Sequence, residues 1–321
     1  MCFFRCYRGW ETLDAYSDAN IKAFLINPDR FYSDANVICE LLRRVGAKHA
    51  ILDDPEVVTV QGPWLKALGV SVILDAPNID FRLSDQYCDY NQADSERAML
   101  LRASQIATTC WVKSDEDKRH YQAAAAFGAP VSSLPVCVTP PNFPPAEVRV
   151  FPEAYAAVFL GNLSYQPNRE CLPFLNALAN ELQSELNFRL CVIGDGATQQ
   201  MTDSFAQLEF LGLRFSPISV AEFDVGLCPL SHGAGMSVKI LDYLHAGIPV
   251  ISTRLGIRGY DPEILGIVLE SELGEFVGEV STLLATATKR SSMSLAGRKF
   301  ANDHYGLKSL GERYAYELSG L

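Results

Sequence analysis

Residues 226–253 read Gly-Leu-Cys-Pro-Leu-Ser-His-Gly-Ala-Gly-Met-Ser-Val-Lys-Ile-Leu-Asp-Tyr-Leu-His-Ala-Gly-Ile-Pro-Val-Ile-Ser-Thr. An apolar run with Val225, Leu227 and Leu230 ends in a loop that holds Gly233 and Gly235. An amphipathic segment covers 236–246, and a second apolar run covers 248–252. The order is strand, glycine loop, helix, strand, which sets a helix N-terminus against an anion such as phosphate. Without a Cβ, Gly233 and Gly235 allow close backbone approach, so the N–H groups from Gly233 through Ala234, Gly235, Met236 and Ser237 become candidate anion ligands. Lys239 and Asp242 are three apart and share one helix face. That places the lysine toward a pyrophosphate and the carboxylate one turn deeper, where it can accept ribose hydroxyls. The same pair also suits a solvated helix face, so the spacing by itself leaves both readings open.

The stretch resembles the nucleotide-sugar signature of GT-B glycosyltransferases, in particular the retaining family-4 group. In that group a Pro-Leu and glycine loop precedes a lysine, an acid three positions on, and then Ala-Gly-x-Pro-Val-Ile-Ser-Thr. A second stretch, Phe159-Leu160-Gly161-Asn162-Leu163-Ser164-Tyr165-Gln166-Pro167-Asn168, resembles the loop that opens the C-terminal domain of these enzymes. A helix is predicted from near Pro167, a good first helical residue, with Cys171, Leu175, Leu178, Leu182 and Leu186 as its apolar stripe. The strand predicted at 188–193 breaks at Gly194-Asp195-Gly196, where the resemblance places the base and ribose. Two departures stand out. Ala234 occupies the place of the family's first glutamate, and Asn162 replaces a basic residue often found after Gly161.

The first half alternates in the same way. A helix is predicted over 36–45, then strands at 50–52 and 70–74, the latter leading into Asp75-Ala76-Pro77-Asn78-Ile79-Asp80. A helix over 93–103 and a strand over 106–112 follow. Ser114 and Asp117 form a capping-box-like pair at the head of a helix reaching residue 127. A last strand over 131–138 ends at the proline-rich 140–145, the best linker in the chain. Residues 1–35 offer one weak strand, 23–26, and no glycine loop. The reading is therefore an α/β protein of two Rossmann-like GT-B domains, 1–145 and 146–321, with the N-terminal domain short of its opening units. A truncated reading frame is the preferred account of that shortness. The resemblance adds that the last helix packs back on the first domain.

A chain of 321 residues with 48% hydrophobic and 20% charged residues suits two globular domains. Its net charge of −11 argues against a nucleic-acid partner and against strong electrostatic docking to anionic membranes, although a local patch leaves peripheral membrane contact open. Nine cysteines, scattered without Cys-x-x-Cys pairs, fit a reduced cytoplasmic protein that uses them as small hydrophobes. No stretch is apolar enough to span a membrane, and residues 1–10, with arginines inside their apolar cluster, do not read as a secretory signal.

The resemblance implies a metal-independent, retaining glycosyltransferase that takes a nucleotide-sugar donor and a sugar, lipid-linked or other small acceptor. The developing diphosphate charge would be met by backbone N–H groups, a helix dipole and basic side chains, so no cofactor or metal is expected. The adjacent Asp53-Asp54 and the run Asp115-Glu116-Asp117 make weak metal sites, the latter being more simply a helix cap. Candidate catalytic residues are Asn78, His232 and Lys239. Candidate nucleotide ligands are Gly161, Asn162, Gly194, Gly233, Ala234, Gly235, Met236, Ser237, Lys239 and Asp242. His245, late in the helix, is read as a structural cation near a helix C-terminus. The other reading is a weakly active or inactive nucleotide-binding fragment of such an enzyme.

Overall fold

The computed structural model describes residues 44, 46–76, 78–124, 128–136, 153–213 and 222–321. The expected strand at 23–26, nearly all of the helix at 36–45 and the linker at 140–145 lie outside the described residues. The chain groups into two units, one of residues 1–135 with 315–321, the other of residues 136–314.

In the first unit four strands form a parallel sheet in the order β1-β2-β3-β4: β1 His49–Leu52, β2 Ser71–Ala76, β3 Thr109–Val112 and β4 Val131–Ser133. Between β1 and β2 runs α1, Pro55–Ala67, which the sequence reading does not contain. Its β-branched cluster at 57–60, followed by Gly62-Pro63, disfavours a helix locally. Tertiary packing decides instead. A Cβ on Gly62 would lie 2.5 Å from the Ile106 side chain, so glycine is what lets α1 settle there. Asp54 caps this helix by accepting the Glu56 N–H at 2.7 Å, which gives one member of the Asp53-Asp54 pair a structural task.

Two further helices, α2 Asp80–Gln86 and α3 Tyr90–Ile106, lead to β3. Ile106 therefore ends a helix and does not begin a strand. In α4, Asp115–Ala124, Ser114 Oγ accepts the Asp117 N–H at 3.0 Å and donates to Asp117 Oδ2 at 2.8 Å. Glu116 pairs with Arg82 at 2.9 Å, so two acids of the Asp115-Glu116-Asp117 run hold the helix in place.

The second unit contains six parallel strands in the order β10-β9-β8-β5-β6-β7. Along the chain β5 Tyr155–Leu160 is followed by the short α5 Gln166–Arg169, then α6 Cys171–Glu185 and β6 Phe188–Ile193. Next come α7 Gln199–Ser204, β7 Leu208–Gly212, β8 Val225–Cys228, α8 Lys239–Ala246 and β9 Val250–Ser252. The chain then passes through β10 Leu269–Glu270, α9 Phe276–Ala285, α10 Ala287–Tyr305 and α11 Leu307–Ser319, whose residues from 315 on group with the first unit. The expected helix from Pro167 is thus interrupted at Glu170, and the helix of the glycine motif begins at Lys239, leaving Met236 and Ser237 in the loop. Cys171, Leu175, Leu178 and Leu182 are buried as the stripe requires. Arg290 is buried and donates to the carbonyls of Leu283 and Leu284, meeting the unsatisfied end of α9.

The strand order determines where a ligand can enter. From β5 the chain first builds outward through β6 and β7, then returns to β8 on the opposite side of β5 and builds through β9 and β10. The reversal between β5 and β8 parts the loops after these two strands and leaves a crevice at the carboxyl ends of the sheet.

Candidate active site

The two strands at the reversal stay paired only at Ala157 with Val225 and Val158 with Gly226. Beyond that the Tyr243 hydroxyl fills the gap. It accepts the Leu160 N–H at 2.7 Å and lies 3.3 Å from the Val158 carbonyl and 3.2 Å from that of Leu227. A Cβ on Gly226 would sit 2.6 Å from the Tyr243 ring, so the glycine admits the ring. This clamps α8 beneath the crevice. Within α8 every residue from 239 to 246 is buried except Lys239 and Asp242, which are partly open. A solvated helix face would expose more than one turn's pair. Here the helix opens only at those two residues.

The loop from 229 to 238 has its carbonyls taken from behind. Arg258 donates from Nη1 to the Gly233 carbonyl at 3.0 Å and from Nη2 to that of Gly235 at 2.6 Å. The Tyr260 hydroxyl donates to the Ser237 carbonyl at 2.7 Å. The N–H groups of Ala234, Gly235, Met236, Ser237 and Val238 meet no acceptor among the described residues. Five unmet donors at the head of a helix suit an anion. Gly235 has φ of +70°, a conformation that favours glycine. At Gly233 a Cβ would meet no protein atom within 4 Å, so packing within the protein leaves room there.

Lys239 Nζ donates to Asn168 Oδ1 at 2.7 Å and stands 4.1 Å from the centroid of the buried Phe159 ring. Burial lowers the pKa of this ammonium from its ordinary value, while the Cys228 and Cys171 sulfurs act in the opposite sense. Asn168 in turn donates from Nδ2 to the Asn162 carbonyl at 2.9 Å. A Cβ on Gly161 would fall 2.8 Å from Asn168 Cγ, so Gly161 makes room for the amide that holds Lys239. Asn162 itself accepts the Ser164 N–H at 2.8 Å and shapes its own loop.

The Asp242 carboxylate accepts no hydrogen bond among the described residues, and burial raises its pKa to about 6. An acceptor without a donor suits a ligand hydroxyl. Gly194 joins the loops after β5 and β6: a Cβ there would lie 1.9 Å from the Gly161 carbonyl oxygen. Backbone bonds from Gly161 to Ile193, 2.9 Å, and from Leu163 to Asp195, 2.7 Å, tie the same loops. His232 Nδ1 lies 2.9 Å from Glu170 Oε2, which ties the glycine loop to the junction of α5 and α6. His245 is buried, and burial lowers its pKa, so it serves as a neutral core side chain and not as the cation the sequence suggests.

Gly161, Asn162, Gly194, His232, the 233–237 loop, Lys239 and Asp242 all belong to the second unit. Asn78 belongs to the first, between β2 and α2. Asn168, Glu170, Tyr243, Arg258 and Tyr260 were not singled out by the sequence. Asn168 and Glu170 had a local signal in the Pro-Asn-Arg-Glu head of the helical stripe, whereas Arg258 is linked to the loop only by the fold. Among the described residues no group of three or more His, Cys, Asp or Glu could hold a metal ion. No helix among them is long and apolar enough to cross a membrane.

Residues 154–286 match the family described as glycosyl transferases group 1. No curated protein matches the chain in sequence. Among solved structures, HepE of Anabaena in complex with UDP and glucose is 14% identical with a TM-score of 0.69, over 94% of this chain and 86% of that one. Sucrose-phosphate synthase of Thermosynechococcus elongatus is 10% identical with a TM-score of 0.72, over 100% of this chain and 89% of that one. Trehalose-6-phosphate synthase OtsA is 11% identical with a TM-score of 0.69, over 100% and 91%.

Proposed function

We propose that this chain, which carries a glycosyl transferases group 1 domain at residues 154–286 on a fold matching the GT-B glycosyltransferases, moves a sugar from a nucleoside diphosphate donor to an acceptor without a metal ion and with retention at the anomeric carbon. The observation that carries the reading is the cradle of unpartnered N–H groups at 234–238, one helical turn from the open Asp242 carboxylate. Asp242 accepts ribose hydroxyls, the cradle and Lys239 receive the diphosphate, and the loops at Gly161, Asn162 and Gly194 line the nucleoside side. The HepE structures hold UDP, which makes UDP the first nucleotide to test.

As the anomeric carbon parts from the phosphate oxygen, negative charge gathers on the diphosphate. Unmet N–H donors at a helix head, three of them backed by pinned carbonyls, meet it with little reorganisation, which is how preorganised electrostatic stabilisation works. For retention the acceptor oxygen bonds the anomeric carbon on the face that the phosphate leaves, and the departing phosphate oxygen takes the acceptor proton. His232, held by Glu170, supplies a further hydrogen bond at the sugar-phosphate edge of the loop. Free Cys88, Cys110, Cys171, Cys191 and Cys228 support a reducing, cytoplasmic setting.

The test is calorimetry with UDP, GDP and ADP, followed by a donor-turnover assay with and without EDTA. Binding of one diphosphate with turnover indifferent to EDTA is expected. Absence of binding to all three nucleotides would overturn the reading.

A further inference from the structure

Resting on the reading of the 233–238 loop as a diphosphate cradle, we infer that Arg258 is a positioning residue that aims the cradle, with Tyr260 as its second anchor. The reason lies in peptide geometry. In a trans peptide the C=O of one residue and the N–H of the next point in opposite directions. Pinning the Gly233 carbonyl therefore turns out the Ala234 N–H, and pinning that of Gly235 turns out the Met236 N–H. Arg258 makes both bonds, at 3.0 and 2.6 Å, with the two terminal nitrogens of one planar guanidinium. Tyr260 donates to the Ser237 carbonyl at 2.7 Å, which also accepts the Ile240 N–H at 3.2 Å, and the two bonds together turn out the Val238 N–H. Carbonyls 233, 235 and 237 are thus all drawn to the same support, and Ala234, Met236 and Val238 present donors that meet no acceptor among the described residues.

A loop with a φ of +70° at Gly235 has other conformations within reach. If the carbonyls swung outward they would repel the diphosphate that the N–H groups attract. The guanidinium fork spans two acceptors at fixed spacing, which a lysine ammonium, a point donor on a flexible stem, cannot reproduce. Arg258 acts through the loop and not by touching the ligand.

The test compares UDP with uridine on the full chain carrying Arg258→Lys or Tyr260→Phe, with GDP and guanosine or ADP and adenosine substituted if the unaltered chain prefers those. Arg258→Lys keeps the charge and removes the fork, and should weaken UDP about tenfold while leaving uridine within about twofold. Tyr260→Phe keeps the ring, which packs edge-on to Tyr305 at 5.3 Å, and should weaken UDP by a smaller factor with the same selectivity. Retained UDP affinity in Arg258→Lys would show that only charge matters and overturn the positioning role. Parallel loss of UDP and uridine in both variants would also overturn it, since that is what general destabilisation produces. If the unaltered chain binds none of the diphosphates, the nucleotide reading itself falls, a result distinct from either of these.

Discussion

Lys239 Nζ donates to Asn168 Oδ1 at 2.7 Å, and this bond ties the first residue of α8 to α5. The ammonium also stands 4.1 Å from the centroid of the Phe159 ring, and the side chain stays partly open. Asn168 is therefore its main polar partner in the protein, and a diphosphate would be its natural second one. Asn168→Ala should lower stability by about 1–3 kcal/mol, the usual cost of leaving a buried donor unmet. Thermal unfolding checks it, and an unchanged midpoint would contradict the role given to Asn168.

Lys239→Ala separates charge recognition from nucleoside recognition. Loss of the ammonium should cost the diphosphate about 1.5–3 kcal/mol, the range for hydrogen bonds to charged groups, and the nucleoside little. Equal losses for both ligands in calorimetry would contradict the assignment. The depressed pKa also has a stability consequence. Below its folded pKa Lys239 is charged in both states and its burial is a cost. As pH rises from there toward the ordinary value of 10.5 the unfolded chain holds more protons, so this group's contribution to stability increases with pH. In Lys239→Met that rise should be absent from the alkaline stability profile.

Much of this arrangement was legible in the sequence, for reasons that can be stated residue by residue. Parallel strands buried on both faces read as unbroken apolar runs, so 188–193 and the run at 225–228 stood out. The Lys239 and Asp242 spacing was visible because helical periodicity is local. The solvated-face alternative could be decided only by burial of their neighbours Ile240, Leu241 and Tyr243. Helix α1 was hidden because valines and a Gly62-Pro63 pair argue against helix unless the contact with Ile106 is known. Arg258 was hidden because its partners Gly233 and Gly235 lie 25 and 23 positions away, joined only by the return from β9.

The glycines give a graded test of what each is for. At Gly194 a Cβ would lie 1.9 Å from the backbone oxygen of Gly161, and neither loop can yield without breaking its bonds to the other. Gly194→Ala should therefore destabilise by about 2 kcal/mol or more, as forced overpacking does. At Gly233 a Cβ meets open space, and Gly233→Ala should change stability by no more than about 0.5 kcal/mol. Any larger effect of Gly233→Ala on diphosphate affinity then reports crowding of the ligand itself. Denaturant titration of the two variants separates the cases, and a reversed order would refute the packing argument.

Asp242 supplies the prediction with the clearest sign. Burial raises its pKa from 3.8 to about 6, so the folded chain holds a proton there that the unfolded chain has released. The stability this proton brings is fully present below 3.8 and is lost as pH rises through about 6. Ligand hydroxyls donating to the carboxylate favour its ionised form and pull the pKa down again. Nucleoside binding below pH of about 6 should therefore release a proton, and affinity should strengthen as pH rises through that value. Calorimetry in buffers of different ionisation enthalpy measures the release directly. Asp242→Asn should abolish it and weaken nucleoside and diphosphate alike by about 1.5–3 kcal/mol, because the charge-assisted bond to ribose is common to both. A release that persists in Asp242→Asn would place the titrating group elsewhere and remove Asp242 from the ribose site.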